Sequence, residues 1–274
     1  MQNFSKETEL AIKTAQEAAS LIRTYRQKQN FTIKSKAKND LVTDADIASE
    51  NLIKEAISSS YPNDIIMAEE SNEERLLTDE RTWIIDPIDG TTNFSHGFPS
   101  YCVSIALWER KIPQTGVVLE VANDELFAAE KGKGAYLNGE QIHLSSITNR
   151  ADSLIGTGFP FRDMEVIDEY LALFKQLLYD CHGVRRPGSA AFDLCCVACG
   201  RLDGFYEYAL APWDVAAGTL IIEEAGGVIC DWSGGDDWLL GKRIIAGSQP
   251  IVDFLLEAIE NHVSDEFRKP DFSG

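Results

Sequence analysis

The stretch Trp83-Ile84-Ile85-Asp86-Pro87-Ile88-Asp89-Gly90-Thr91-Thr92 is the most informative in this chain. Trp83 to Ile85 is a short apolar run of the kind a buried strand shows, and it ends on a carboxylate. Pro87 lacks an amide proton and has a fixed φ, which predicts a turn here rather than a continuing paired strand or a helix. In such a turn the side chains of Asp86 and Asp89 converge on one point. Gly90 then permits a tight backbone and close ligand approach, and Thr91 and Thr92 are N-cap residue types whose neighbouring amides face the same point. Carboxylates offer hard oxygen ligands to Mg²⁺, and amides at a helix start hold phosphate, so metal and phosphate would meet at one site. Taken alone, the same residues also describe an ordinary turn, because Asp, Pro and Gly are common turn formers.

Acids elsewhere bear on that choice. Ile65-Ile66-Met67-Ala68 is a second apolar run, ended by Glu69-Glu70. Ligands in α/β sheets bind where strands run out into loops, so both carboxylate-ended runs are well placed. Asp214 follows Pro212-Trp213 at the start of a helix that continues through apolar Val215 to Ile222. An Asp there is an N-cap or a ligand, and both readings stay open. Asp46 lies in the first turn of a helix starting near Thr43 or Asp44, where an acid also suits the helix dipole.

Around these segments the pattern is mixed α/β. Ala11, Ala15, Ala18, Ile22 and Tyr25 share one face of an amphipathic helix. After the polar stretch 34–39, a second helix is expected to bury Ala48, Leu52, Ile53 and Ala56 and to stop before Tyr61-Pro62-Asn63. Residues 71–80 read as a charged surface loop. Between Tyr101 and His143, apolar runs alternate with turn signals, including Asn138-Gly139, which predicts an antiparallel meander. Beyond Ser153, helices over 166–179, 190–199, 213–225 and 251–263 alternate with strands over 204–207, 228–230 and 244–246. The two halves are expected to share one sheet system, with a seam near 144–153.

The chain has 274 residues, 44% of them hydrophobic, enough for a substantial core. Its 25 basic and 44 acidic residues give a net charge of -19. Such a balance repels nucleic acid and anionic lipid, so no direct nucleic-acid partner and no membrane partner are expected. The amino terminus shows neither a basic leader nor a long apolar run, which leads to the expectation of a cytoplasmic protein. Six cysteines then remain thiols, and Cys196-x-x-Cys199 reads as helix packing rather than a zinc or redox site. His96, His143, His182 and His262 fit no ligand spacing and read as structural.

The chain resembles the inositol monophosphatase family of metal-dependent, lithium-sensitive phosphatases. W-I-I-D-P-I-D-G-T-T-N-F at 83–94 and P-W-D-V-A-A-G-T-L-I-I-E-E-A-G-G at 212–227 match its two main motifs. N-D-L-V-T-D-A-D at 39–46, A-E-E-S at 68–71, K-G-K-G-A at 131–135 and G-S-A-A at 188–191 match in family order. The resemblance implies an α/β fold of alternating layers, the αβαβα five-layer sandwich of the inositol monophosphatase and fructose-1,6-bisphosphatase type. It implies one catalytic domain with lobes over 1–147 and 148–274, and a homodimer.

The resemblance also implies a site residue by residue. Two to three Mg²⁺ ions are expected, the first held by Glu69, Asp86 and the backbone carbonyl of Ile88. Asp86 would bridge to a second ion, also held by Asp89 and Asp214, and a third, weaker ion would rely on Glu69. Glu69 and the Thr91–Asp46 pair would take the proton of a metal-bound water. Gly90 and Thr91 amides would receive the phosphate, and Asp89, Ser189, Ala190 and Glu207 the polyol hydroxyls. By its position alone, Glu207 is a strand-end charge. Arg185-Arg186 would serve either an anionic substrate or a subunit contact.

The expected activity is Mg²⁺-dependent hydrolysis of a small phosphorylated polyol, above all myo-inositol monophosphate. Fructose 1,6-bisphosphate, NADP and adenosine 3',5'-bisphosphate are alternatives on the same site. The T-T-N-F ending favours the inositol branch, because nucleotide-phosphate relatives commonly carry a Lys-Gly pair after D-G-T. A reading of another class is a partner protein in an RNA-processing or transcription complex, a role in which some bacterial relatives take part.

Overall fold

The computed structural model describes residues 3–29, 31–37, 40–71 and 77–269. The first helix, α1 (Lys6–Lys28), starts where the Ser5 hydroxyl accepts the Thr8 amide, carries Glu7 and Glu9 in its first turn, and buries Ala11, Ala15, Ala18, Ala19 and Ile22. The polar stretch that follows contains a hairpin that the sequence did not announce: β1 (Ile33–Ala37) pairs antiparallel with β2 (Asp40–Thr43). Residues 33–36 are exposed, so no buried face imposes an alternating apolar pattern there. Residues 38 and 39 lie outside the described residues.

In α2 (Asp44–Ser60) the buried face is Ala45, Ser49, Ile53 and Ile57, together with Asp46 and Glu50. The expected Ala48, Leu52 and Ala56 are only half-buried. The helix is turned toward polar residues because those residues have backbone partners. Ser49 Oγ donates to the Pro87 carbonyl at 3.1 Å, and Glu50 accepts the Glu70 amide at 2.7 Å. A hydrophobicity pattern cannot register a buried face satisfied in this way.

Then come β3 (Ile65–Ala68), β4 (Thr82–Asp89), α3 (Thr91–His96) and the meander β5 (Cys102–Glu109), β6 (Ile112–Glu120), β7 (Glu125–Glu130), β8 (Ala135–Leu137) and β9 (Glu140–Gln141). These strands form one seven-stranded sheet in the order β3-β4-β5-β6-β7-β8-β9. The turn at Asn138-Gly139 has positive φ at both residues, 49° and 86°, as a tight hairpin requires. Of the charged loop expected over 71–80, residues 72–76 lie outside the described residues.

The second half contains β10 (Leu154–Thr157), α4 (Ile167–Asp180), β11 (Gly183–Arg185), α5 (Ala190–Ala198), β12 (Gly204–Tyr208), α6 (Pro212–Glu224), β13 (Val228–Cys230), β14 (Arg243–Gly247), α7 (Gln249–His262) and α8 (Asp265–Arg268). Its strands form a separate five-stranded sheet, β11-β10-β12-β14-β13, so the expectation of one shared sheet system is corrected. Two helices keep the sheets apart. Asp214 through Ile222 of α6 are all buried, with no polar face, because α6 and α5 are covered by a sheet on each side.

The layers therefore run α1/α2, seven-stranded sheet, α5/α6, five-stranded sheet, α4/α7; one apolar cluster fills each outer interface, and a third spans both faces of α5/α6. This is the alternating αβαβα sandwich. All six cysteines are free thiols. Among the described residues no helix is long and apolar enough to cross a membrane.

Candidate active site

The site is built on an irregularity in β4. Pro87 does not end the strand in a turn, as expected. β4 continues to Asp89, and its pairing with β5 shifts between Asp86, opposite Ser104, and Asp89, opposite Cys102. Three steps along β4 face two along β5, which is a bulge, and the missing amide of Pro87 is tolerated there. The bulge turns the carboxylates of Asp86 and Asp89 toward the same cavity. Asp214 arrives from the first turn of α6. Ligand oxygens of Asp86, Asp89 and Asp214 all lie within 4.8 Å of one another.

Each of these three acids is anchored through one oxygen. Asp86 Oδ1 accepts the Ile88 amide at 3.0 Å. Asp89 Oδ2 accepts Ser189 Oγ at 2.7 Å and the Ala191 amide at 2.8 Å. Asp214 Oδ2 accepts the Ala211 amide at 2.7 Å and Arg162 Nη1 at 2.9 Å. The second oxygen of each has no hydrogen bond among the described residues. Three buried, half-satisfied carboxylates with fixed orientation form a donor set of hard oxygens, which fits Mg²⁺ and offers nothing to a soft metal.

The electrostatics agree with that fit. Burial and then the Asp214 charge push Asp89 up to about 7. Burial raises Asp86 well above the usual carboxylate range, with Glu69 and Asp89 adding to the effect. Burial also pushes Glu69 up to about 8, against the opposing pull of Lys36. Like charges crowded in a desolvated place bind either protons or a cation. Glu69, at the end of β3, stands beside the three-acid group and makes ion pairs with Lys36 at 3.4 Å and Arg162 at 3.7 Å.

Behind the acids lies a hydroxyl–carboxylate pair. Thr91 Oγ1 is 3.0 Å from Asp46 Oδ1 and 3.0 Å from the Ile88 carbonyl. Asp46 is fully buried and takes two more bonds from Thr43, through its amide and its hydroxyl. Burial raises its pKa against those bonds. Gly90 caps α3 at φ 88°, a conformation in which an added Cβ would stand 2.9 Å from the Ser100 carbonyl.

One cavity of about 560 Å³ gathers Glu69, Asp86, Ile88, Asp89, Gly90, Thr91, Ser189, Ala190, Glu207 and Asp214, with Asp46 one layer behind Thr91. Glu207 is not a strand-end surface charge. It is recessed so closely beneath Gly158 that a Cβ there would stand 1.7 Å from Glu207 Oε1, and burial, reinforced by Asp214, pushes it up to about 8. Arg186 also lines the cavity, with its guanidinium 5.3 Å from the Phe161 ring centre. Arg185 lies on β11 and is exposed. His96, read as structural, is exposed at the cavity wall.

Phe159, Phe161, Arg162 and Tyr208, which the sequence pattern does not single out, also line the wall. Three of them follow β10, a four-residue strand too short to show a pattern. Recognising it would have made Phe159 to Arg162 a strand-end loop and therefore a candidate.

A family model described as the inositol monophosphatase family matches residues 3–264. The chain belongs to this family. It is 45% identical over 229 residues to a protein of Neisseria meningitidis serogroup B named putative Nus factor SuhB, covering 84% of this chain and 88% of that one. A crystal structure of the extragenic suppressor protein suhB from Bartonella henselae is 37% identical, with a TM-score of 0.88 over 94% of this chain and 100% of that one. The inositol monophosphatase of an Anabaena (Nostoc) species is 36% identical, with a TM-score of 0.83 over 94% and 97% of the two chains.

The Neisseria name corrects one expectation. Beside a small phosphorylated polyol and a second copy of the chain, direct nucleic-acid contact is excluded by the charge-based expectation. That exclusion rested on the charge of -19, and it fails for a relative at this identity that is named as a Nus factor. Net charge is a sum over the whole surface. It sets the far field and says nothing about a local patch or about docking on a basic partner.

Proposed function

We propose that this family member is a Mg²⁺-dependent phosphate-monoester hydrolase acting on myo-inositol monophosphate. The observation that carries this reading is the set of half-anchored acids, Asp86, Asp89 and Asp214, whose ligand oxygens lie within 4.8 Å of one another in a cavity also lined by Ser189 and Glu207. Asp86, Asp89, Asp214, Glu69 and the Ile88 carbonyl would hold two to three ions. Bound there, Mg²⁺ supplies a Lewis acid that offsets phosphate charge and lowers the pKa of water.

The protein's own groups handle the proton and the substrate. Thr91 Oγ1 has a single proton and two acceptors at 3.0 Å, so a proton arriving at Thr91 can move on to Asp46. Glu69, on the same cavity, would be a further proton acceptor. Gly90 and Thr91 amides at the start of α3 face phosphate oxygens. Ser189, Ala190 and Glu207 receive the hydroxyls of the leaving alcohol, and no covalent intermediate is needed.

A phosphate-release assay on inositol monophosphates, fructose 1,6-bisphosphate, NADP and adenosine 3',5'-bisphosphate, with Mg²⁺ and Li⁺ titrated, tests the reading. Release on an inositol monophosphate that requires Mg²⁺ and falls with Li⁺ supports it. Activity unchanged in excess chelator would sink it.

A second reading is favoured by the name of the Neisseria relative: action within a transcription complex. The two are separated by complementing a bacterium that lacks its SuhB relative with wild-type protein or with Asp86→Asn. Full rescue by Asp86→Asn would mean that the cellular role does not need the metal site.

A further inference from the structure

Two cations reach the carboxylate site from outside the core. Lys36 on β1 meets Glu69 at 3.4 Å and Glu70 at 2.8 Å. Arg162 Nη1 lies 2.9 Å from Asp214 Oδ2, and its Nη2 lies 3.7 Å from Glu69 Oε1. The Arg162 side chain is 44% exposed, while its partners are 6% and 10% exposed. A half-exposed arginine thus covers two nearly buried acids. It sits in a turn at residues 161–162, between the end of β10 and the helical turn at Met164, outside any helix or strand.

Arg162 is not what places Asp214. The Ala211 amide already binds the same Oδ2 at 2.7 Å, and the residue is fixed in the first turn of a buried helix. What the guanidinium adds is one positive charge against acids whose mutual repulsion is, among the described residues, also offset by Lys36. Divalent cations held by Asp214 and by Glu69 supply the same compensation with twice the charge each, and repel a guanidinium that lies 2.9 Å from Asp214.

We propose that Arg162 is a removable counter-ion built into the carboxylate site. It compensates Asp214 and Glu69 in the metal-free protein, and it withdraws with its turn as divalent cations take up those acids. Cation binding is thereby coupled to the position of the segment that carries Phe159 and Phe161, two walls of the substrate cavity. This rests on the metal reading of the site given above.

Calorimetric titration of Mg²⁺ into the wild type, Arg162→Gln and Arg162→Lys tests the idea without assaying activity. Removing a competing charge at contact distance tightens Mg²⁺ binding by about three- to tenfold in Arg162→Gln, with Arg162→Lys between the two. Equal or weaker binding in Arg162→Gln overturns the inference and leaves the metal reading standing. No Mg²⁺ binding by the wild type overturns both.

A second measurement needs no variant. Trypsin requires a free arginine side chain for its acidic pocket. Cleavage after Arg162 should be faster with Mg²⁺ than with chelator, relative to cleavage after Arg201, whose guanidinium stays paired with Glu125. Slower or unchanged relative cleavage with Mg²⁺ overturns the proposal.

Discussion

Thr91 Oγ1 stands 3.0 Å from Asp46 Oδ1, and the carboxylate so touched is fully buried and held from its other side by Thr43. The pair can accept a proton at Thr91 and keep the resulting charge out of water. Thr91→Val keeps the shape of the side chain and removes the relay. Loss of positioned proton transfer lowers kcat by about 10²- to 10⁴-fold, with Mg²⁺ affinity unchanged. Steady-state kinetics beside a Mg²⁺ titration check this, and a wild-type kcat in the variant would refute the role.

Asp86 is the most crowded acid of the group, its charge opposed by Glu69, Asp89, Asp214 and Asp46. Asp86→Asn keeps an oxygen for the Ile88 amide while removing the charge. Mg²⁺ binding and phosphate release should be lost, and the metal-free variant should melt at or a few degrees above the wild type, because about 1 kcal/mol moves Tm by only a few degrees in a domain of this size. A marked drop in Tm would show that Asp86 is structural.

The pH dependence follows from the raised carboxylates. Glu69 rises from 4.5 to about 8 and Asp89 from 3.8 to about 7. Between the lower and upper values the metal-free folded protein keeps protons that the unfolded chain has released. The contribution of these two groups to stability is therefore fully present below their ordinary values and is lost as pH rises through 7 to 8. Mg²⁺ binds the ionised forms, so its stabilisation grows in the same interval. Melting curves with and without Mg²⁺ at pH 6 and pH 8.5 should show a larger Mg²⁺ shift at pH 8.5. A smaller shift there would contradict the assignment.

Glu207, raised to about 8 by burial, is mainly protonated near pH 7 and can donate to a substrate hydroxyl. Glu207→Gln replaces it with a neutral group of the same shape, so KM at pH 6.5 should change by less than about threefold. Above pH 8 the wild-type KM should rise and that of Glu207→Gln should not. Parallel pH profiles would remove Glu207 from the substrate site.

Gly158→Ala tests the same wall from behind. Its Cβ would stand 1.7 Å from Glu207 Oε1, so the Glu207 side chain must move. The expected result is a raised KM with Mg²⁺ affinity retained, read from kinetics and calorimetry.

By itself the sequence determined the local pieces. Apolar runs ending in Glu69 and Asp86, the meander turn at Asn138-Gly139 and the helices over 166–179, 190–199 and 251–263 are written in short-range pattern, because strand and helix periods repeat every two or 3.6 residues. Asp86 and Asp89 were recognisable as a candidate for the same reason. The family motifs supplied the layer order that periodicity could not.

Other features depended on contacts distant in sequence, and only the tertiary structure decided those. Pro87 lies in a bulge and not in a turn because β5 pairs on both sides of it. α2 buries Ser49 and Glu50 because Pro87 and Glu70 offer them backbone groups. Glu207 is recessed because Gly158 leaves room above it, and Arg162 reaches Asp214 across 52 residues of chain. Burying a polar or charged group is stable only where partners meet it, and those partners come from separate elements: Pro87 from β4, Glu70 from the end of β3, Arg162 from the turn after β10, and Ala191 and Asp214 from α5 and α6. Asp86 to Thr91 could thus be recognised in one dimension, while the charge, anchoring and company of those residues exist only in three.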